Sequence, residues 1–295
     1  MVTLKDYEGG KTAWCPGCGN FMLLRAVQEA MVGLKKAPHE LLLVSGIGQA
    51  GKLPHYMRCN TFNSLHGRTL PPATGAKLAN HELTVVAIAG DGDCYGEGGN
   101  HFLHAIRRNI DITLIVHDNQ VYGLTKGQAS PTSEVGFATK VQPGGVILAP
   151  FNPIVVAVAM EASFVARGFT GEKDHLVGLI QKAVLHKGFA LVDVLQPCPS
   201  FNQLNTFTWY RDRVYKLEGS GEGHSHYDPT DKTAAFQKAQ EWGSKIPIGL
   251  IYTNPKRPTL EGQIPALKGG TLVKSALLGP SDVRPRFERL LEEFI

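Results

Sequence analysis

Two periodicities alternate along the chain. Short apolar runs at residues 41–45, 83–89, 112–116 and 189–195, the first closed by a glycine-rich turn, lack the polar alternation of a half-exposed strand. They read as strands buried on both faces. Helical period marks residues 20–34 and 97–108, and the small-residue segment 73–79 suits a helix packed closely on a sheet. The strand–helix–strand succession over 83–116 is a βαβ unit, so the pattern predicts an α/β fold, a parallel sheet covered by helices on both faces. After the strand at 189–195 the chain enters Pro197-Cys198-Pro199 and the pattern loosens, with 219–229 reading as a loop. The expected organisation is a main domain over 1–217 and a C-terminal extension over 218–295 that packs on that domain or on a partner.

Composition narrows the classes. With 43% hydrophobic residues in 295, the chain can bury a substantial core. A net charge of +4 from 30 basic and 26 acidic residues, without a block of one sign, argues against a nucleic-acid partner. The first residues lack an apolar core, and the longest apolar stretch, 146–160, is interrupted by Pro150, Asn152 and Pro153, so no membrane span and a cytoplasmic location are expected. Five cysteines without a secretory signal point to metal or redox chemistry rather than a disulfide framework.

Candidate chemistry gathers where the predicted strands end. In open parallel sheets ligands bind beyond the carboxyl ends of the strands, where loops and helix N-termini converge. Gly90-Asp91-Gly92-Asp93 lies at one such exit and Asp118-Asn119 at the next. Glycines 90 and 92 let backbone N–H groups approach a phosphate, while Asp91 and Asn119 offer hard oxygens suited to Mg²⁺. A lone Gly-Asp-Gly is as readily a tight turn; the second motif shifts the reading toward a magnesium-diphosphate site.

This pairing resembles the magnesium-diphosphate motif of thiamine-diphosphate enzymes, with Asp118 where that family usually has a first asparagine. Further motifs narrow the likeness: Trp14-Cys15-Pro16-Gly17-Cys18-Gly19-Asn20, Leu65-His66-Gly67-Arg68, Tyr122 to Gln128, Phe164 to Gly168 and Cys198-Pro199-Ser200-Phe201-Asn202, reaching Leu217. Together they resemble the β subunit of 2-oxoacid:ferredoxin oxidoreductases, in its 2-oxoglutarate branch. The resemblance implies a thiamine-diphosphate-binding fold in which Asp91, Asn119 and the carbonyl of Val121 hold Mg²⁺. Gly90, Gly92, Asp93, His66, Gly123, Leu124 and Thr125 would surround the cofactor, with Leu124 contributing to the wall that bends it. His66 also fits a buried histidine bonded to backbone, and Leu124 plain core. The implied reaction is coenzyme A-dependent oxidative decarboxylation of a 2-oxo acid, 2-oxoglutarate to succinyl-CoA, reversible in principle, with ferredoxin as electron acceptor. It also implies an α subunit, in a heterodimer or heterotetramer, that supplies the carboxylate activating the cofactor.

The cysteines are read beside it. Cys15 and Cys18 form a C-x-x-C ahead of a helix, and Cys198 follows a strand. Their spacing alone suits zinc as well as an iron–sulfur cluster, with a redox pair third. The resemblance favours a 4Fe–4S cluster, since the reaction sends out single electrons. The family's remaining cysteine follows the Gly46-Ile47-Gly48 turn, and this chain has Gln49 there. Cys59 is the expected substitute, with His55, Gln49 and solvent as alternatives, and Cys94 reads as a small buried residue. Lys52 and Lys126 resemble basic positions near the substrate pocket, and equally fit solvated lysines or diphosphate contacts. Competing functions are a pyruvate or broad-specificity oxidoreductase, the cofactor-binding half of a non-oxidative decarboxylase, and a zinc-stabilised interaction protein.

Overall fold

A computed structural model describes residues 1–218, 227–275 and 280–293. The loop expected over 219–229 lies largely outside them. Eight strands form one sheet: β1 (Leu41–Ser45), β2 (Asn60–Asn63), β3 (Thr84–Gly90), β4 (Thr113–Asp118), β5 (Phe164–Phe169), β6 (Ala190–Leu195), β7 (Val214–Lys216) and β8 (Ile246–Thr253). Their spatial order is β2-β1-β3-β4-β6-β5-β8-β7. All pairings are parallel except β5 with β8.

The apolar strands are covered on both sides, as their sequences require. One face carries Val85, Ala87, Ala89, Leu114, Val116 and Leu191, the other Val86, Ile88, Ile115, Val192 and Val194. Helices α1 (Gly19–Gly33) and α5 (Lys173–Leu185) cover the second face. Leu23, Val27, Ala30 and Met31 of α1, and Leu176, Leu179, Ile180 and Ala183 of α5, recur at helical spacing and are buried there. The first face is covered by α2 (Leu70–Ala79), α3 (Gly99–Arg108), α4 (Pro153–Ala159) and, beyond α6 (Phe207–Arg211), by α7 (Lys232–Ala239). No helix of the described residues is long and apolar enough to cross a membrane.

The expected strand 41–45 is β1 itself, and the other expected elements shift by a few residues. The helix expected from 97 begins as a π turn, Gly92–Glu97, and becomes α-helical at Gly99. The chain also holds elements that the pattern did not predict, among them β5, α5 and β8. β8 contains Pro247 and Gly249, residues that argue against a strand. Here they are tolerated at an irregularity: the β5–β8 register shifts between Val165 and Ala166, and Gly249 has φ +130. A Cβ on Gly249 would lie 2.2 Å from the Glu218 carboxylate, so glycine is required. Residues 246–253, expected in an extension, thus belong to the same sheet as residues 41–216.

Candidate cofactor and cluster site

Parallel pairing brings the exits of β1, β3, β4 and β6 to one edge. Gly90 of β3 pairs with His117 of β4, and Asp118 with Leu195 of β6, so Asp91, Asn119 and Cys198 follow neighbouring strand ends. The order reverses beside β1, which has β2 on one side and β3 on the other, leaving a crevice at the Gly46–Gln49 turn.

Asp91 caps the π turn and is only 2% exposed. Thr132 Oγ1 stands 2.7 Å from Asp91 Oδ2 and 2.8 Å from Asp118 Oδ1. A hydroxyl has one proton to donate, so both contacts are hydrogen bonds only when one carboxyl group is itself protonated. Burial pushes Asp91 up to about 6 and Asp118 well above the usual carboxylate range. Asp118 thus shares the Thr132 hydroxyl with Asp91 at the position where the motif usually has a first asparagine. Half-buried Asn119 accepts through Oδ1 from Val121 N at 3.1 Å, a local turn that fixes its amide.

These residues fit Mg²⁺ bound with a diphosphate. One carboxylate, one amide oxygen and a backbone carbonyl converge from adjacent strand ends, and phosphate oxygens with water would complete the shell. The Tyr122 ring lies directly on Gly92, where a Cβ would sit 2.2 Å from Tyr122 Cε1, whereas Gly90 is more open, its Cβ position 3.8 Å from Ala50 Cβ. The following loop folds back on itself, with Tyr122 N donating to Gln128 O at 2.9 Å and Gly127 N to Tyr122 O at 2.9 Å. Leu124 and Thr125 stand exposed at its tip. Leu124 is therefore not core.

Asp93 serves the scaffold. Its Oδ1 accepts from Ile47 N at 3.2 Å, Gly67 N at 2.7 Å and His66 Nδ1 at 2.7 Å, and Oδ2 accepts from Thr69 Oγ1 at 2.9 Å. Every one of these contacts braces the turns after β1 and before α2. His66 is exposed rather than buried, with Nδ1 2.7 Å from Asp93 Oδ1. Lys52 is half-buried in the turn after β1 and Lys126 exposed in the loop after β4; neither has an ion-pair partner among the described residues.

Cys15, Cys18 and Cys198 line one cavity of about 20 Å³ with Asn20, Gln49, Asn119 and Gly123. Close backbone approach makes it: a Cβ on Gly19 would fall 2.8 Å from Gln196 Cγ, so only glycine lets α1 start against the β6 exit. Asn202 N donates to the Cys198 carbonyl at 3.0 Å, and Gln196 Nε2 lies 3.7 Å from Cys18 Sγ. Burial pushes the Cys18 thiol up to about 11. Among the described residues no three His, Cys, Asp or Glu side chains form a closed metal site. The donors nevertheless fit a cluster's chemistry, because three soft sulfurs line one cavity and the Gln196 amide lies beside one of them. The cavity is smaller than a cluster, and Cys15 is the exposed member that can move.

The structure does not bring Cys59 there. Cys59 packs in the core of the α1 face, its thiol pushed up to about 12 by burial, and His55 is exposed on the turn after β1. Ten residues beyond Gln49 the chain has crossed to the start of β2, at the far end of the edge strand. Gln49 itself is the residue that faces the cavity. Cys59→Ala is accordingly expected to leave bound iron unchanged, as a colorimetric iron assay would verify. Cys94 lies in the core, as expected.

Sequence reasoning missed a buried polar group behind Asp91. Arg167 of β5 pairs in register with Asp193 of β6; Tyr95 OH donates to Asp193 at 2.7 Å, and the guanidinium sits 5.6 Å from the Trp242 ring centre. With Thr132, Asp118 and Gln120 they line a cavity of about 150 Å³. The signal was present: an arginine and an aspartate each stand in the middle of an otherwise apolar strand.

Fold and site together define a thiamine pyrophosphate enzyme domain: the model of the C-terminal TPP-binding domain of these enzymes matches residues 46–194. The model of the C-terminal region of pyruvate ferredoxin oxidoreductase β subunits matches residues 198–269. The 2-oxoacid:ferredoxin oxidoreductase 1 β subunit of Aeropyrum pernix is 42% identical over 296 residues, covering 94% of this chain and 93% of the relative. The corresponding subunit of Saccharolobus solfataricus is 47% identical over 262 residues, 85% of each chain. A solved 2-oxoglutarate:ferredoxin oxidoreductase from Magnetococcus marinus, with 2-oxoglutarate, coenzyme A and succinyl-CoA bound, superposes with a TM-score of 0.87 at 34% identity, covering 97% of this chain and 96% of that one. The chain belongs to the β subunits of the 2-oxoacid:ferredoxin oxidoreductases.

Proposed function

We propose that this chain, joined to an α subunit, performs coenzyme A-dependent oxidative decarboxylation of 2-oxoglutarate to succinyl-CoA, passing electrons through an iron–sulfur cluster to ferredoxin. One observation carries the reading: Asn119 and Gly123, in the loop that would hold Mg²⁺ and diphosphate, also line the cavity of Cys15, Cys18 and Cys198. Cofactor and cluster would therefore be neighbours, as single-electron transfer between them requires.

Asp91, Asn119 and the Val121 carbonyl would hold Mg²⁺, and the Gly90–Gly92 backbone would approach the diphosphate. Bound thiamine diphosphate supplies an electron sink for loss of CO₂. The exposed loop tip at Leu124 and Thr125 would border the cofactor, and the exposed His66 imidazole would serve as a proton acceptor there. Lys52 and Lys126 receive the distal carboxylate of the substrate; their lack of ion-pair partners among the described residues supports this role. The likeness to relatives described as 2-oxoglutarate oxidoreductase and synthase subunits, 44% identical in Mycobacterium tuberculosis over 67% of this chain, supports the same substrate.

Co-expression with the α subunit, anaerobic purification and assay of viologen reduction with coenzyme A test the reading, with 2-oxoglutarate expected ahead of pyruvate. Equal kcat/KM for the two acids would defeat the substrate assignment, and CO₂ release without viologen reduction would favour a non-oxidative decarboxylase. Lys52→Ala and Lys126→Ala should each lower kcat/KM for 2-oxoglutarate by about 10- to 100-fold, the worth of one hydrogen bond to a charged group. Pyruvate, lacking the second carboxylate, should be affected much less.

A further inference from the structure

Cys15, Cys18, Cys198 and Gln49 line the cavity between the start of α1 and the exits of β1, β4 and β6. Gln49 Oε1 is buried there without a hydrogen-bond partner among the described residues. A buried acceptor left unpaired costs about 1–3 kcal/mol, so a chain that keeps one invites the question of what it faces. The residue cannot swing aside readily. Trp14 Nε1 donates to the Gln49 carbonyl at 2.9 Å, and the Trp14 ring is itself wedged edge-on between Tyr56 and Phe21, with centroids 4.8 and 5.5 Å away. On the other side Gly123 is at ordinary van der Waals contact, its Cβ position 3.9 Å from Gln49 Cγ.

We infer that Gln49 Oε1 faces the fourth iron of the cluster, so that three irons carry the thiolates of Cys15, Cys18 and Cys198 and one carries an oxygen donor. This rests on the cluster reading above and concerns only its fourth corner. An amide oxygen is a harder and weaker ligand for iron than a thiolate. The fourth iron is thus chemically distinct from the other three and is the first to leave.

The test uses the anaerobically purified complex with the α subunit, as native protein, Gln49→Cys and Gln49→Ala, each treated with ferricyanide and EDTA. In that treatment a 4Fe–4S cluster of charge 2+ releases one Fe²⁺ to EDTA and one electron to ferricyanide, leaving a 3Fe–4S cluster of charge 1+. The native complex should lose about one iron in four from this cluster and develop the EPR signal of a three-iron cluster. Gln49→Cys should lose it roughly tenfold more slowly, and Gln49→Ala faster than native. Equal rates in native and Gln49→Cys would overturn the inference, as would equal rates in native and Gln49→Ala, or zinc in place of iron. Viologen reduction by the same preparations separates the failures. Equal rates with activity intact would remove the fourth-corner assignment alone, whereas zinc without activity would remove the cluster reading with it.

Discussion

Asp91→Ala is expected to retain no thiamine diphosphate at Mg²⁺ concentrations that saturate the native chain, while unfolding at a nearly unchanged denaturant midpoint. The two halves have separate causes. Asp91 is the only carboxylate in the proposed magnesium set, so its loss leaves the diphosphate charge uncompensated. Its own burial, which drives its pKa up to about 6, shows a carboxylate paying for its position rather than holding the fold. Removing it leaves Thr132 free to donate to Asp118, 2.8 Å away, so no donor is orphaned. Isothermal titration with thiamine diphosphate, beside urea denaturation, measures both; cofactor affinity equal to native would sink the metal assignment.

Two residues on, Asp93→Ala should do the reverse, costing about 3–5 kcal/mol of stability. Its carboxylate answers four donors, two of them the backbone N–H groups of Ile47 and Gly67, while His66 also has Glu97 Oε2 at 3.7 Å. Leaving buried donors unpaired carries the full desolvation penalty. The turn after β1 and the segment before α2 would both lose their brace. A drop in the urea midpoint corresponding to less than about 1 kcal/mol would show that the brace is dispensable.

The contrast explains how much could be read in advance. The strands β1, β3, β4 and β6 were legible because they are buried on both faces, so their apolar runs are unbroken, and the chemistry at their ends was legible because parallel sheets put it there. Asp91 and Asn119 follow from that rule. The role of Asp93 does not, because its partners Ile47, His66, Gly67 and Thr69 come from two distant segments whose approach no local pattern records. Thr132 was hidden for the same reason: it reaches Asp91 from a loop without periodicity. The gathering of Cys15, Cys18 and Cys198 was anticipated through resemblance, but the exclusion of Cys59 needed the fold. Sequence distance said little about which side of the sheet that thiol would occupy.

The antiparallel β8 has a consequence for the order of events as the chain is made. β5 finds its neighbour β6 soon after synthesis, but its other edge stays bare until residues 246–253 emerge. Through that interval Val165 and Arg167 border an unsatisfied ladder, the kind of edge that recruits strands from other molecules. β8 does not become a new bare edge in turn, because its far side pairs with β7 through residues 246–248. The sheet thus ends on a strand of three residues, too short a template to propagate pairing between molecules.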